Sequence, residues 1–150
     1  MIVGMGLDIV ETRGGRWARA LESIEEQIFT PLELASCADR VDRIDALAAR
    51  FAAKEACLKA LNAGIRQGAL RHIEIVSDPA TAPTIRLTGA LALRARASGV
   101  RVAHVSLTHH EGLAAAVVIL EGTRKRAAAA SRQRRSAESW TLEMVSSSPW

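Results

Sequence analysis

The sequence predicts an α+β chain in which a small antiparallel sheet packs on one long helix. Three observations lead there. Residues 2–10 alternate strictly, with Val3, Met5, Leu7 and Ile9 on one side and Gly4, Gly6 and Asp8 on the other, the period-two pattern of a half-buried strand. Residues 44–61 bring Leu47, Phe51, Leu58 and Leu61, with Ala48, Ala52 and Cys57 beside them, onto one side of an alanine-rich helix. Residues 102–107 and 114–120 read as two further strands, joined through Thr108-His109-His110-Glu111-Gly112, a polar turn of hairpin length.

In the first strand the apolar side is the one such a pattern buries. Two glycines and an aspartate on the other side let a second backbone or a ligand come close. A sheet packed against a helix, with Asp8 ending the strand, accounts for that face without any ligand. Gly14-Gly15 then offers a loop, and Trp17, Ala20, Leu21, Ile24 and Ile28 mark an amphipathic helix over 16–28. Arg13, Arg16 and Arg19 gather at its start, where the helix dipole favours acids. Such a local conflict can mark a binding surface, although arginines also populate solvated faces. Thr30-Pro31-Leu32-Glu33 starts a short helix, with a capping threonine, a proline at the first helical position and a glutamate three residues after the cap.

The long helix ends at Asn62-Ala63-Gly64, residue types that accept the left-handed conformation of a C-cap. It carries Arg50, Lys54, Glu55 and Lys59. An exposed Glu55–Lys59 pair at i,i+4 accounts for their spacing and is worth about 0.3–0.5 kcal/mol. It does not explain why both lysines of residues 1–122 fall in this helix while the same stretch holds twelve arginines. His72 to Val76 is a strand, Asp78-Pro79 to Pro83 a loop, Thr84 to Leu87 a strand, and Gly89 to Ser98 a helix ended by Gly99.

At 150 residues and 49% hydrophobic composition the chain suits one soluble domain with a real core, which excludes a wholly disordered protein. No apolar run approaches the ~20 residues of a membrane span, and Met1 leads straight into Ile2-Val3-Gly4 without a basic leader, so a cytoplasmic protein is expected. Cys37 and Cys57, set among Ala and Leu, read as buried thiols. The net charge of +4 belongs to residues 123–150, where six basic residues face Glu138 and Glu143; residues 1–122 are balanced. With no tyrosine, and Phe29 and Phe51 among apolar neighbours, nothing interleaves aromatics with basic residues for nucleic acid. The expected organisation is one domain over 1–122 followed by a basic, Ser/Arg-rich, disordered tail over 123–150.

Three polar clusters remain: Asp8 on its glycine-lined face; Arg50, Glu55 and Lys59 on one helix; and Ser106-Leu107-Thr108-His109 leaving a strand. Two carboxylates distant in sequence suit a divalent cation that keeps its waters and binds substrate phosphate, as Mg²⁺ does. Basic residues nearby would neutralise the remaining phosphate charge.

Gly4-Met5-Gly6-Leu7-Asp8-Ile9-Val10-Glu11, followed by Phe29-Thr30-Pro31-Leu32-Glu33, resembles the opening of the holo-acyl-carrier-protein synthases, the small stand-alone 4′-phosphopantetheinyl transferases. Arg50-Phe51-Ala52-Ala53-Lys54-Glu55-Ala56 with Lys59-Ala60-Leu61 resembles that family's most specific motif. Ile73-Glu74-Ile75 and Val105-Ser106-Leu107-Thr108-His109 match later blocks in order. The resemblance covers most of 1–122 and none of the tail.

The resemblance implies the α+β transferase fold and transfer of 4′-phosphopantetheine from coenzyme A to a serine of an acyl carrier protein. Adenosine 3′,5′-bisphosphate is released, in fatty-acid or polyketide synthesis. It implies a homotrimer with the active site at a subunit interface. Asp8 and Glu55 would hold Mg²⁺, and Lys59 would contact the phosphates. Arg50, Gly64, Thr108 and His109 would line the coenzyme A site, and Glu55 or a metal-bound water would take the serine proton. Arg13, Arg16 and Arg19 would dock the acidic carrier protein. A non-catalytic protein of the same fold, binding coenzyme A or a carrier without turnover, is the alternative.

Overall fold

In the computed structural model, which describes residues 1–64, 69–77, 81–123 and 142–144, the chain opens with β1 (Ile2–Glu11). Helices α1 (Arg16–Ile28), α2 (Pro31–Cys37) and α3 (Arg43–Ala60) follow, then strands β2 (Ile73–Val76) and β3 (Thr84–Leu87). Helix α4 (Gly89–Ala97) leads to the long hairpin of β4 (Val100–His110) and β5 (Leu113–Gly122). β5 is the centre of an antiparallel sheet ordered β1-β5-β4, and α3 lies across that sheet's inner face. The mixture of helices and small antiparallel sheets is the α+β class that the sequence predicts.

Local chemistry places these elements. Gly14 and Gly15 both take left-handed φ (77° and 68°), which turns the chain from β1 into α1. Thr30 and Glu33 form a reciprocal capping box at the start of α2, with Pro31 at the first helical position. Asn62, at φ 51°, ends α3 in the left-handed cap that its residue type allows. The core under the sheet joins Ala52, Ala53, Ala56 and Leu58 of α3 to Ala114, Ala116, Val118 and Leu120 of β5 and Ala103 of β4. A second cluster, centred on Phe29 and Leu47, seats α1 and α2 on α3. Both cysteines are buried and free.

Three findings differ from the expectations. First, β1 is turned over. Gly6 and Val10 face the core, whereas Met5, Leu7 and Ile9 are 66%, 57% and 61% exposed. The reason is steric: a Cβ at Gly4 would lie 2.1 Å from the Ala60 carbonyl oxygen, and one at Gly6 2.0 Å from that of Ala56. Only the glycine side lets the strand lie directly on α3.

Second, the hairpin turn is two residues long. Glu111 and Gly112, at φ 46° and 81°, form a tight turn of the kind that matches strand twist, so Thr108, His109 and His110 are strand residues. Third, Leu142–Met144 form strand β6, paired antiparallel with β3 through Ile85↔Met144 and Leu87↔Leu142. Disorder was expected throughout 123–150, and these three residues correct it; 124–141 and 145–150 lie outside the described residues. The physical cause is the edge of β3, whose unpaired backbone groups accept a third strand. No described helix is long and apolar enough to cross a membrane.

Candidate active site

The close seating of β1 on α3 creates the site. Asp8 follows Gly4 and Gly6 on the inward side of β1, one step beyond the point where the strand touches Ala56 and Ala60. Glu55 and Lys59, one turn apart on α3, emerge beside it. The Lys59 ammonium donates to Asp8 Oδ1 at 2.7 Å and to the Leu7 carbonyl at 2.9 Å. The expected Glu55–Lys59 surface pair is therefore replaced by a longer-range Asp8–Lys59 ion pair. Glu55 is buried, and its carboxyl is pushed above the usual carboxylate range, first by loss of water and then by the charge of Asp8, with Lys59 opposing.

Among the described residues no group of three or more His, Cys, Asp or Glu gathers as a ready metal cage. Asp8 and Glu55 supply two. Mg²⁺ is commonly bound by one or two carboxylates with waters and substrate phosphates completing the set, so the pair fits that ion. The fit rests on the donor set, two carboxylates of which one is buried and feels the charge of the other.

The other sequence-derived candidates lie elsewhere in the chain. His109 Nε2 is 3.4 Å from Asp42 Oδ2, at the start of α3, and Glu55 stands roughly three and a half turns, about 20 Å, further along that helix. Arg40 grips the same Asp42 through Nε (2.8 Å) and Nη2 (2.7 Å), and this bonding, with the guanidinium charge, holds the Asp42 carboxyl below its usual value. Thr108 precedes His109 in the strand and so faces the opposite side of the sheet.

Arg50 is buried beneath α2, donating to the Ala46 carbonyl and to Ser36 Oγ, both at 3.2 Å. Its Nε has no hydrogen-bond partner among the described residues. Gly64 is exposed just past the α3 cap. Arg16 and Arg19 are exposed on α1, whereas Arg13 turns back to the hairpin, donating from Nε to the Glu111 carbonyl at 2.5 Å. One chain thus gathers Asp8, Glu55 and Lys59 at one end of α3 and His109 at the other. Two features escaped the sequence reading: Asp42 as the neighbour of His109, and the buried partners of Lys54.

The outer face of the sheet bears on this division. Met5, Leu7 and Ile9 of β1 lie opposite Ile119, Val117 and Ala115 of β5, and Leu113 extends the row at 47% exposure. Across β4 the same face turns polar, with His104, Ser106 and Thr108. Soluble single chains seldom expose a contiguous apolar row of this kind.

Residues 4–118 match the model of the 4′-phosphopantetheinyl transferase superfamily. A holo-[acyl-carrier-protein] synthase of Methylobacterium sp. (strain 4-46) is 46% identical over 133 residues, covering 83% of this chain and 97% of the relative. Among solved structures, the holo-[acyl-carrier-protein] synthase of Neisseria meningitidis superposes with a TM-score of 0.70 at 34% identity, over 81% of this chain and 99% of that one. The coenzyme A complex of the Chronobacterium ammoniagenes synthase gives 0.68 at 29% identity, over 81% and 98%.

Proposed function

The chain belongs to the 4′-phosphopantetheinyl transferase superfamily, and on that footing we propose that it transfers 4′-phosphopantetheine from coenzyme A to a serine of an apo acyl carrier protein. Holo carrier protein and adenosine 3′,5′-bisphosphate are the products. One observation carries the reading: the glycine contact between β1 and α3 draws Asp8, distant in sequence, into one charged corner with Glu55 and Lys59.

The chemistry asks for alignment and charge neutralisation more than for covalent participation. Asp8 and Glu55 would hold Mg²⁺, which supplies positive charge at the coenzyme A pyrophosphate. Lys59, already on Asp8, brings an ammonium to the same phosphates. The acceptor serine must lose its proton as its oxygen displaces adenosine 3′,5′-bisphosphate at phosphorus. Glu55, beside the site where the hydroxyl would enter, would be the group that accepts that proton. By the family resemblance Arg50, Gly64, Thr108 and His109 would line the coenzyme A site, with Arg50 held beneath α2 and Thr108 on the opposite side of the sheet from His109. Arg16 and Arg19, with Arg13 behind them, would steer an acidic carrier protein to α1.

A homotrimer reconciles the two separated groups. The apolar outer sheet face would be buried between copies, and His109 of one copy would then complete the Glu55 end of the next. Residues 1–122 would form the transferase domain of a cytoplasmic enzyme. The intact mass of an apo carrier protein, incubated with this chain, coenzyme A and Mg²⁺, tests the reading against an EDTA control. The expected result is a Mg²⁺-dependent gain of one phosphopantetheine. Binding of coenzyme A without any gain would favour the non-catalytic alternative.

A further inference from the structure

The site uses Lys59 and leaves Lys54 without a role. Lys54 and Glu33 of α2 are both fully buried, with the ammonium 2.6 Å from the carboxylate. The same ammonium lies 3.0 Å from the Ile28 carbonyl, 2.9 Å from that of Leu70 and 2.6 Å from that of Ile73, and 5.4 Å from the centre of the Phe29 ring. Glu33 in turn accepts the backbone N–H of Thr30 (2.9 Å) and of Ile75 (3.0 Å). A single compact group therefore ties the end of α1, the start of α2 and strand β2 to α3. A planar guanidinium does not suit acceptors so divergently placed, which accounts for a lysine at this position. A buried pair of this kind rarely outdoes apolar side chains in stability, and its clearest use is to fix one arrangement.

On its other side α3 is fixed by the contact of Ala56 and Ala60 with Gly6 and Gly4. Successive helical residues are turned by about 100°, so Glu55 projects between the Lys54 contact and the Ala56 contact. We propose that Lys54 is a positioning residue: with Glu33 it sets the rotation of α3 about its axis, and so the placement of the Glu55 carboxylate against Asp8. The proposal rests on the transferase reading above. At about 5–6 Å from the helix axis, a rotation of about 10° displaces a side chain by about 1 Å. A misplacement of about 1 Å can cost on the order of 100-fold in rate.

The test uses the full chain carrying Lys54→Met with Glu33→Gln, which neutralises both partners at similar volume, beside Glu33→Gln alone. Each is checked for folding by circular dichroism and assayed well below its melting temperature. The double variant is expected to fold, to lose about 10- to 100-fold in kcat with KM for coenzyme A changed less than about threefold, and to exchange its amide hydrogens faster over residues 54–60. A folded double variant with wild-type kcat and unchanged exchange overturns the proposal, even if it melts earlier. Should the double variant not fold, Glu33→Gln carries the test, with an expected loss of about 3- to 10-fold. A wild-type rate there, or failure of both variants to fold, also overturns it. A wild-type chain that transfers nothing instead removes the transferase reading, and the exchange rates still report whether the pair holds α3.

Discussion

Glu55, in the role proposed for it, would serve the reaction while weakening the fold. Burial and the neighbouring Asp8 charge raise its carboxyl, so the folded chain binds that proton more tightly than the unfolded chain. Between the ordinary carboxylate value and the raised one the folded state holds the extra proton, so stability falls as pH rises through that window. Above that window the ionised Glu55 is a net cost. Glu55→Gln is therefore expected to melt above the wild type at pH 7.5, with the difference closing at a pH below the ordinary carboxylate range. Added Mg²⁺ should raise the melting temperature of the wild type more than that of the variant. A variant that melts lower at neutral pH would remove the two-carboxylate site. A second expectation concerns docking: reversing Arg16 and Arg19 to Glu should raise KM for the carrier protein at least about tenfold at low salt and leave coenzyme A affinity unchanged. Steady-state kinetics with each substrate varied in turn separates the two. At this scale the sequence showed which residues carry charge but not which are spent internally. Lys54 and Lys59 look alike in the chain; one ends in the core and the other on Asp8. Likewise Arg13 stands beside Arg16 in sequence yet binds the hairpin turn.

Element boundaries were legible where local chemistry decides them. The α2 capping box, the Gly14-Gly15 turn into α1 and the Asn62 cap all follow from residue type alone. The orientation of β1 was not, because hydrophobic alternation says that one face is buried and assumes it is the apolar one. Here the contact with α3 demands absent side chains, and that outweighs the burial of Met5, Leu7 and Ile9 within one chain. The prediction at this scale compares three glycines. Gly6→Ala places a methyl 2.0 Å from the Ala56 carbonyl oxygen and Gly4→Ala 2.1 Å from that of Ala60, so α3 and β1 must separate. Each should cost about 3 kcal/mol in urea unfolding and lower kcat, since the same contact sets Asp8 against Glu55. Gly14→Ala meets nothing within 4 Å and carries only the strain of φ +77°, expected at about 1 kcal/mol with little change in kcat. Equal losses at all three positions would show that the glycines answer to backbone conformation, not to the helix contact.

At the scale of the whole molecule, the apolar face left over by β1 and the distance between His109 and Glu55 pose one problem. A single chain exposes a surface that water disfavours and keeps the proposed site residues Glu55 and His109 apart; association through that surface would answer both. Sequence patterning could not reveal this, because a residue buried between copies reads the same as one buried within a copy. Complementation tests it. Glu55→Ala chains retain His109, and His109→Ala chains retain Glu55; each alone has no intact site. In a mixed ring, an interface pairing Glu55 of one copy with His109 of the next is intact when the two variants meet in the right order. For equal, randomly assorted chains that order occurs at about one interface in four, whatever the number of copies in a closed ring. Refolding the two variants together should then recover about a quarter of wild-type activity, while sedimentation gives the copy number. Leu7→Asp, aimed at the centre of the apolar face, should dissociate the assembly and abolish activity without unfolding the chain, whose core lies on the other side of the sheet. If co-refolded variants stay inactive while each forms the full assembly, His109 and Glu55 act within one chain or His109 has no part in the site. If Leu7→Asp sediments as a single chain and keeps full turnover, one copy suffices and the apolar face serves another partner.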